Sequence, residues 1–350
     1  MPAVAVKQFV SRSGLRLYRI PCQVFETLTA RVYLVLGAGP PTLVDTGSRL
    51  EASTQQVLAG LEAVRTEFGE SVGPRDIGRI VLTHGHADHV GGLGELLRHA
   101  SAEVAIHPLD SKAITAPREH AVVGRCRLID FLDRAGVDGP RRAELLRASP
   151  YAEEPGEDRG DASPTAAFEL PFPPRLLEDG AEIDGLQIVH TPGHSAGHVC
   201  IVAGDVLLSG DHLLSHTLPH QWPESATPYT GLGHYFESLD KIARTGGLRL
   251  ALAAHEQVID DVYRRIETVR ATHRRRLERL WQTVRGAGGP LSVQEIASRL
   301  YPELSGFRAV LSITEVGSRV EYLHQRARLA VANLDELRRE PRSVYRYRAR

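Results

Sequence analysis

Three imidazoles and a carboxylate fall within six residues at His84-Gly85-His86-Ala87-Asp88-His89. Nitrogen and carboxylate donors packed this densely suit Zn²⁺ or a similar first-row divalent ion. In a turn, side chains two apart can converge on one point where a regular helix would splay them. Gly85 and Ala87 leave room for that. A His-rich surface loop is the bland alternative, but it does not explain why partners of the right chemistry recur downstream. His194 stands in Thr191-Pro192-Gly193-His194-Ser195, Asp211 follows Ser209-Gly210, and His255 follows an apolar run.

These residues need elements that deliver them to one place. The β-branched run Ile80-Val81-Leu82 reads as a buried strand ending at Thr83, just before the His-rich loop. Thr42-Leu43-Val44 reads as another strand ending at Asp45, which is expected to orient metal ligands rather than bind metal. Strand patterns at 32–36, 104–106, 186–191, 199–202, 206–210 and 248–253 alternate with amphipathic segments, as in 50–68 and 232–242. Single His and Asp residues therefore recur at strand ends, where one edge of a sheet can gather them. Sheets covered by outer helices are the expected layers.

With His84, His86, Asp88 and His89 forming a His-x-His-x-Asp-His loop, followed in order by His194, Asp211 and His255, the chain resembles the metallo-β-lactamase-fold hydrolases over roughly residues 15–260. The resemblance implies an α/β fold, an αββα sandwich of two facing sheets with metals at one edge. It implies two divalent ions per chain, zinc foremost, with iron or manganese as alternatives. His84, His86 and His194 would hold one ion, Asp88, His89 and His255 the other, and Asp211 would bridge both. Two ions roughly 3.5–4 Å apart can share a water and lower its pKa toward about 7, so that hydroxide attacks a carbonyl or phosphoryl centre at neutral pH. Asp88 is the candidate catalytic residue, orienting that nucleophile or passing on its proton. One departure is the Ala254-His255-Glu256 context, where many relatives carry Gly-His-Gly. His212, His216 and His220 follow the bridging carboxylate and are candidates to line the pocket. His198 is expected to hydrogen-bond within its own loop.

The chain beyond the sandwich is different in character. Residues 1–260 are expected to form the catalytic domain, with an insert at 107–175 whose acidic, Pro- and Gly-rich stretch at 153–161 reads as a mobile loop. Residues 261–350 carry a long amphipathic helix, a short helix opened by a Ser292/Glu295 capping box, and a third helix expected to open at a second box, Ser312/Glu315. A strand-like end at 343–347 completes a small C-terminal winged-helix-like domain. From residue 262 onward 19 arginines and no lysine stand against 9 carboxylates, although the net charge of the whole chain is −1. Such a basic tail either docks on the acidic body or on a second subunit, as in a homodimer, or it binds nucleic acid.

Composition narrows the setting. With 42% hydrophobic and 24% charged residues the chain reads as an ordinary soluble protein, with no apolar run of membrane-spanning length and no signal-peptide pattern at its start. Cys22, Cys126 and Cys200 are odd in number and widely spaced, which suggests reduced, packed thiols and a cytoplasmic protein. The leading expectation is a dinuclear metal-dependent hydrolase acting on a small carbonyl substrate of the thioester or lactone class. A phosphodiesterase or endoribonuclease is the second, drawn from the same donors and the Arg-rich tail. An iron-dependent oxygenase is the third, although one-iron relatives leave several of these positions unused.

Overall fold

The computed structural model describes residues 5–26, 28–152 and 170–350, so the stretch at 153–161 lies outside the described residues. A seven-stranded sheet runs in chain order through β1 (Lys7–Val10), β2 (Arg16–Phe25), β3 (Leu28–Leu36), β4 (Thr42–Val44), β5 (Arg79–Val81), β6 (Glu103–Ile106) and β7 (Arg175–Leu176). Its first four strands pair antiparallel and the rest parallel. A five-stranded sheet follows, built from β8 (Glu182–Ile183), β9 (Leu186–His190), β10 (Val199–Ala203), β11 (Val206–Gly210) and β12 (Leu250–Ala253) in the order β12-β11-β10-β9-β8.

Alternation along the strands makes the layers. Leu17, Tyr33, Val35, Val44 and Val81 of the first sheet share a core with Ile188, Val199, Ile201, Val206 and Leu208 of the second. Their neighbours Tyr18, Ile20, Val32, Leu34, Leu43 and Ile80 face the other way, onto Val57, Leu61 and Val64 of α1 (Glu51–Glu67) and onto Leu93 and Leu96. On the far side Val189, Cys200, Val202, Leu207 and Ala251 of the second sheet meet a helical layer. Period-two alternation in each sheet is thus satisfied on both faces, giving helix, sheet, sheet, helix.

That last layer joins distant parts of the chain. It contains α5 (Pro117–Ala135) and α6 (Gly139–Ala148) from the insert and α7 (Leu232–Arg244). With them pack α8 (Val262–Arg285), α9 (Val293–Leu300) and α10 (Gly306–Gln325), all in one continuous apolar cluster. A two-stranded ribbon of β13 (Leu329–Val331) and β14 (Tyr347–Ala349), with the short α11 (Leu334–Arg339) between them, ends the chain. Several tail arginines are spent on docking: Arg265 donates to the carbonyls of Leu214 and Thr217, and Arg270 pairs with Asp240. No helix among the described residues is long and apolar enough to cross a membrane.

The His-rich loop itself leads into two short helices, α2 (Ala87–Val90) and α3 (Leu93–His99), with the 46–49 segment crossing between them. There the Thr46 N–H donates to the His89 carbonyl (2.8 Å) and the Gly92 N–H to Gly47 (3.2 Å). Three local expectations differ from what forms. The Ser292/Glu295 box caps α9, but Ser312 and Glu315 lie inside α10, which starts at Gly306 because Ala309, Val310 and Ile313 extend its buried face. The terminal strand is later than expected, at 347–349, where it pairs with β13. Cys22 and Cys200 are buried, but Cys126 is exposed, since α5 buries the Leu128, Phe131, Leu132 and Ala135 face instead.

The inter-sheet core makes a direct prediction. Leu208 is 1% exposed between the sheets, whereas Val10 on the edge strand is 50% exposed. Leu208→Ala is expected to lower the unfolding free energy by about 2–5 kcal/mol, and Val10→Ala by no more than about 0.5 kcal/mol. Denaturant titration measures both, and equal effects would contradict this packing.

Candidate metal centre

Parallel strands leave their C-terminal ends side by side, and here those ends carry the donors. Val44 pairs with Val81 in register, so Asp45 and the 83–89 loop emerge together. In the second sheet Gly210 pairs with Ala253, which places Asp211 beside His255. His190 pairs with Val199, so the 191–198 turn, bearing His194, opens at the same edge. A backbone bond from the Val199 N–H to the Thr83 carbonyl (2.8 Å) ties the two sheets together at this point.

All seven predicted ligands converge there. His84 Nε2 lies 2.9 Å from His86 Nδ1, which lies 3.0 Å from His194 Nε2. His255 Nε2 is 3.3 Å from Asp88 Oδ2, and His89 Nε2 is 3.7 Å from the same oxygen. Asp211 stands between the groups, with Oδ2 3.5 Å from His194 Nε2 and Oδ1 3.5 Å from His255 Nε2. A tetrahedral ion with bonds of about 2.0–2.1 Å separates its donors by about 3.3 Å, and these separations bracket that value. Three overlapping clusters result: His84/His86/His194, Asp88/His89/His255, and His84/His89/Asp211 linking them, with each cluster's ligand atoms within 4.8 Å of one another.

The donor set fits a cation on independent grounds. His89 Nε2 and Asp211 Oδ1 are buried and have no hydrogen-bond partner among the described residues. Orphaned buried polar atoms are costly unless something else satisfies them. Burial above all pushes His84 well below the ordinary imidazole value and His86 and His194 down to about 4, so these rings present lone pairs at neutral pH. Burial acts the same way on His89 and His255, but the surrounding carboxylates outweigh it and raise both. Asp88 and Asp211 are held below the usual carboxylate range because the imidazoles overcome the cost of burial. One side therefore offers neutral donors, and the other offers paired charges whose protons a metal ion would displace.

Each inward nitrogen is set by what its ring does on the other side. His89 Nδ1 bonds Asp45 Oδ2 at 2.9 Å, and Asp45 also accepts from the Thr83 N–H at 2.8 Å. Asp45 does so from a left-handed backbone (φ 63°), which Asp tolerates better than most residues. His194 Nδ1 meets the His220 carbonyl at 2.9 Å and His255 Nδ1 the Thr29 carbonyl at 3.0 Å. Glu256, where the resemblance implies glycine, adopts a left-handed backbone (φ 64°), and its carboxylate accepts from the His216 N–H (2.6 Å) and Thr217 N–H (3.1 Å). His198 bonds Thr191 Oγ1 at 2.8 Å and accepts from the Asp211 N–H at 3.0 Å. A Cβ on Gly210 would lie 2.6 Å from His198 Nε2, so that approach needs glycine.

The candidate pocket histidines divide. His212 is fully buried against Tyr235, with neither ring nitrogen hydrogen-bonded among the described residues, His216 is exposed, and His220 turns toward α10. Inspection of the sequence missed Asp110, assigned there only to the insert. Its buried carboxylate accepts from the Gly85 N–H (2.9 Å), Ser195 Oγ (2.7 Å) and the Gly197 N–H (2.7 Å), joining the His84–His86 loop to the His194 turn. The available signal was an Asp just past a strand end, in His107-Pro108-Leu109-Asp110, as with Asp45. Asp110→Ala leaves all seven donors in place yet strands these three hydrogen-bond donors. It is expected to weaken metal retention by about 10–100-fold in chelator competition; wild-type retention would contradict that role.

Comparison with known proteins agrees with this geometry. The sequence model of the metallo-beta-lactamase superfamily matches residues 27–255. Among curated proteins, the chain is 26% identical over 305 residues to the lactamase-like protein aptB of Emericella nidulans, covering 81% of this chain and 77% of that one. It is 23% identical to an atrochrysone carboxyl ACP thioesterase of Aspergillus chevalieri (84% and 80% covered) and 25% identical to the human acyl-coenzyme A thioesterase MBLAC2 (61% and 67%). A metallo-beta-lactamase family protein from Thermus thermophilus superposes with a TM-score of 0.66 at 26% identity, covering 95% of this chain and 98% of its own. A beta-lactamase domain protein from Burkholderia ambifaria shares the fold with a TM-score of 0.72 at 22% identity, covering 98% and 94%. The chain belongs to the metallo-β-lactamase superfamily and is a metal-dependent hydrolase.

Proposed function

We propose that the protein is a dinuclear zinc hydrolase of small thioesters, with lactones as the neighbouring substrate class. The observation that carries this is Asp211, whose two carboxylate oxygens face His194 on one side and His255 on the other. A carboxylate placed so can bridge two cations, and two relatives named as thioesterases span most of their length with this chain. His84, His86 and His194 would hold one ion, and Asp88, His89 and His255 the other. The His-rich donor set suits zinc, with iron and manganese as the other ions it accepts.

Bound there, the ions would supply an acidified water and a contact for the substrate carbonyl oxygen. The chain does the rest. His84, His86 and His194 would present three neutral imidazoles to the first ion, with Asp211 reaching it from the side of the second. Asp88, with its side chain 14% exposed and bonded to His255, is placed to orient the attacking water. Water adds to the carbonyl carbon, the C–S bond breaks, and Asp88 passes the water's proton to the departing thiolate. We also assign residues 261–350 to a winged-helix-like unit that braces the catalytic layers. Four of the tail's 19 arginines, Arg265, Arg270, Arg276 and Arg319, are turned onto groups of the protein itself, which supports docking as the use of that part of its charge.

A screen of thioesters, lactones, phosphodiesters and single-stranded RNA on zinc-loaded protein tests this. Thioester turnover is expected, abolished by chelation, restored by zinc and lowered at least about 100-fold in Asp88→Ala. Turnover of phosphodiesters or RNA with none of thioesters would overturn the substrate class.

A further inference from the structure

The segment after Asp211 brings the C-terminal helices into the metal centre through one residue, His220. Its carbonyl accepts from Nδ1 of His194 at 2.9 Å and so fixes Nε2 as the nitrogen that faces the cluster. A backbone carbonyl is only as well placed as the residue that bears it, and His220 lies on a segment with no regular secondary structure. Its own ring is what anchors it. Nε2 lies 3.0 Å from Thr314 Oγ1 in the middle of α10, and Thr314 spends its hydroxyl proton on the Val310 carbonyl (2.7 Å), leaving a lone pair toward the imidazole. His220 Nδ1 lies 3.7 Å from Glu315 Oε1, and the Trp222 ring closes on the imidazole edge-to-face at 5.4 Å.

Glu315 is fixed in its turn. Arg319, 3% exposed on the next turn of α10, pairs with it, and Arg276 of α8 reaches it at 3.6 Å. Among the described residues, then, a chain of contacts runs from two helices of the tail through Glu315 and Thr314 to the His220 ring. From there it passes through the His220 backbone to His194. On the His255 side the tail reaches only the neighbouring loop among the described residues, where Arg265 donates to the Thr217 carbonyl and the Thr217 N–H donates to Glu256; the outer nitrogens of His89 and His255 themselves bond Asp45 and the Thr29 carbonyl of the first sheet.

We propose that Thr314 and Glu315 are positioning residues for His194, acting through His220, so that α10 helps to complete the metal position that His194 serves. The inference rests on the two-ion assignment above. It gives the tail a task in the site that needs no nucleic acid and no contact with substrate.

Titration of the metal-free, full-length protein with Co²⁺ tests this, following both binding steps and the visible ligand-field spectrum. Thr314→Val and Glu315→Gln are each expected to weaken one ion about tenfold or more and to change its spectrum, with the other ion unaffected. Thr314→Ser, which keeps the hydroxyl, is expected to restore both. Two wild-type binding steps with a wild-type spectrum in folded Thr314→Val would overturn the proposal, as would an equal loss at both positions. Should Thr314→Val fail to fold by circular dichroism, Glu315→Gln and Thr314→Ser decide on the same criteria. His194→Ala separates the two levels: if it still binds both ions normally, the two-ion assignment itself fails.

Discussion

Gathering seven candidate ligand side chains, two of them carboxylates, in a largely buried space is costly. Removing a carboxylate from water costs several kcal/mol even after the protein relaxes, and imidazoles this close repel one another once protonated. The surroundings offset only part of this. His89 and His255 can carry protons beside Asp88 and Asp211, while His89 Nε2 and Asp211 Oδ1 are left without hydrogen-bond partners among the described residues. Two divalent cations held on either side of Asp211 would offset both costs together, which is the physical basis for proposing two ions.

The rest of the structure holds those donors at their distances. Parallel pairing of β4 with β5 and of β11 with β12 sets Asp45, the 83–89 loop, Asp211 and His255 at one edge. The Val199–Thr83 and Arg31–Ala254 backbone bonds fix one sheet against the other there. Asp45, Asp110 and the carbonyls of Thr29 and His220 then settle ring orientation. Loss of any of these leaves the ligand list unchanged but loosens its geometry, and a metal site depends on that geometry as much as on its donors.

How much was legible in the sequence follows from where the information lies. His84, His86, Asp88, His89, His194, Asp211 and His255 could be picked out because each sits at the end of an apolar run and carries an unmistakable donor. The layers could be read because strand alternation and helical spacing record which faces are buried. Backbone acceptors such as Thr29 and His220 leave no trace in residue type. Asp110 was hidden among residues that looked like an insert. Ser312 and Glu315 imitated a helix start, although the buried face of α10 begins earlier and Glu315 serves the His220 contact instead. At Glu256 the left-handed backbone is a conformation that a sequence does not display for a glutamate.

X-ray absorption spectroscopy of the zinc-loaded protein tests the central claim most directly. The account predicts two zinc ions per chain, nitrogen and oxygen scatterers at about 2.0–2.1 Å, and a metal–metal vector at roughly 3.5–4 Å that disappears in Asp211→Ala. A single ion per chain, or two ions with no metal–metal vector in the wild-type protein, would contradict it.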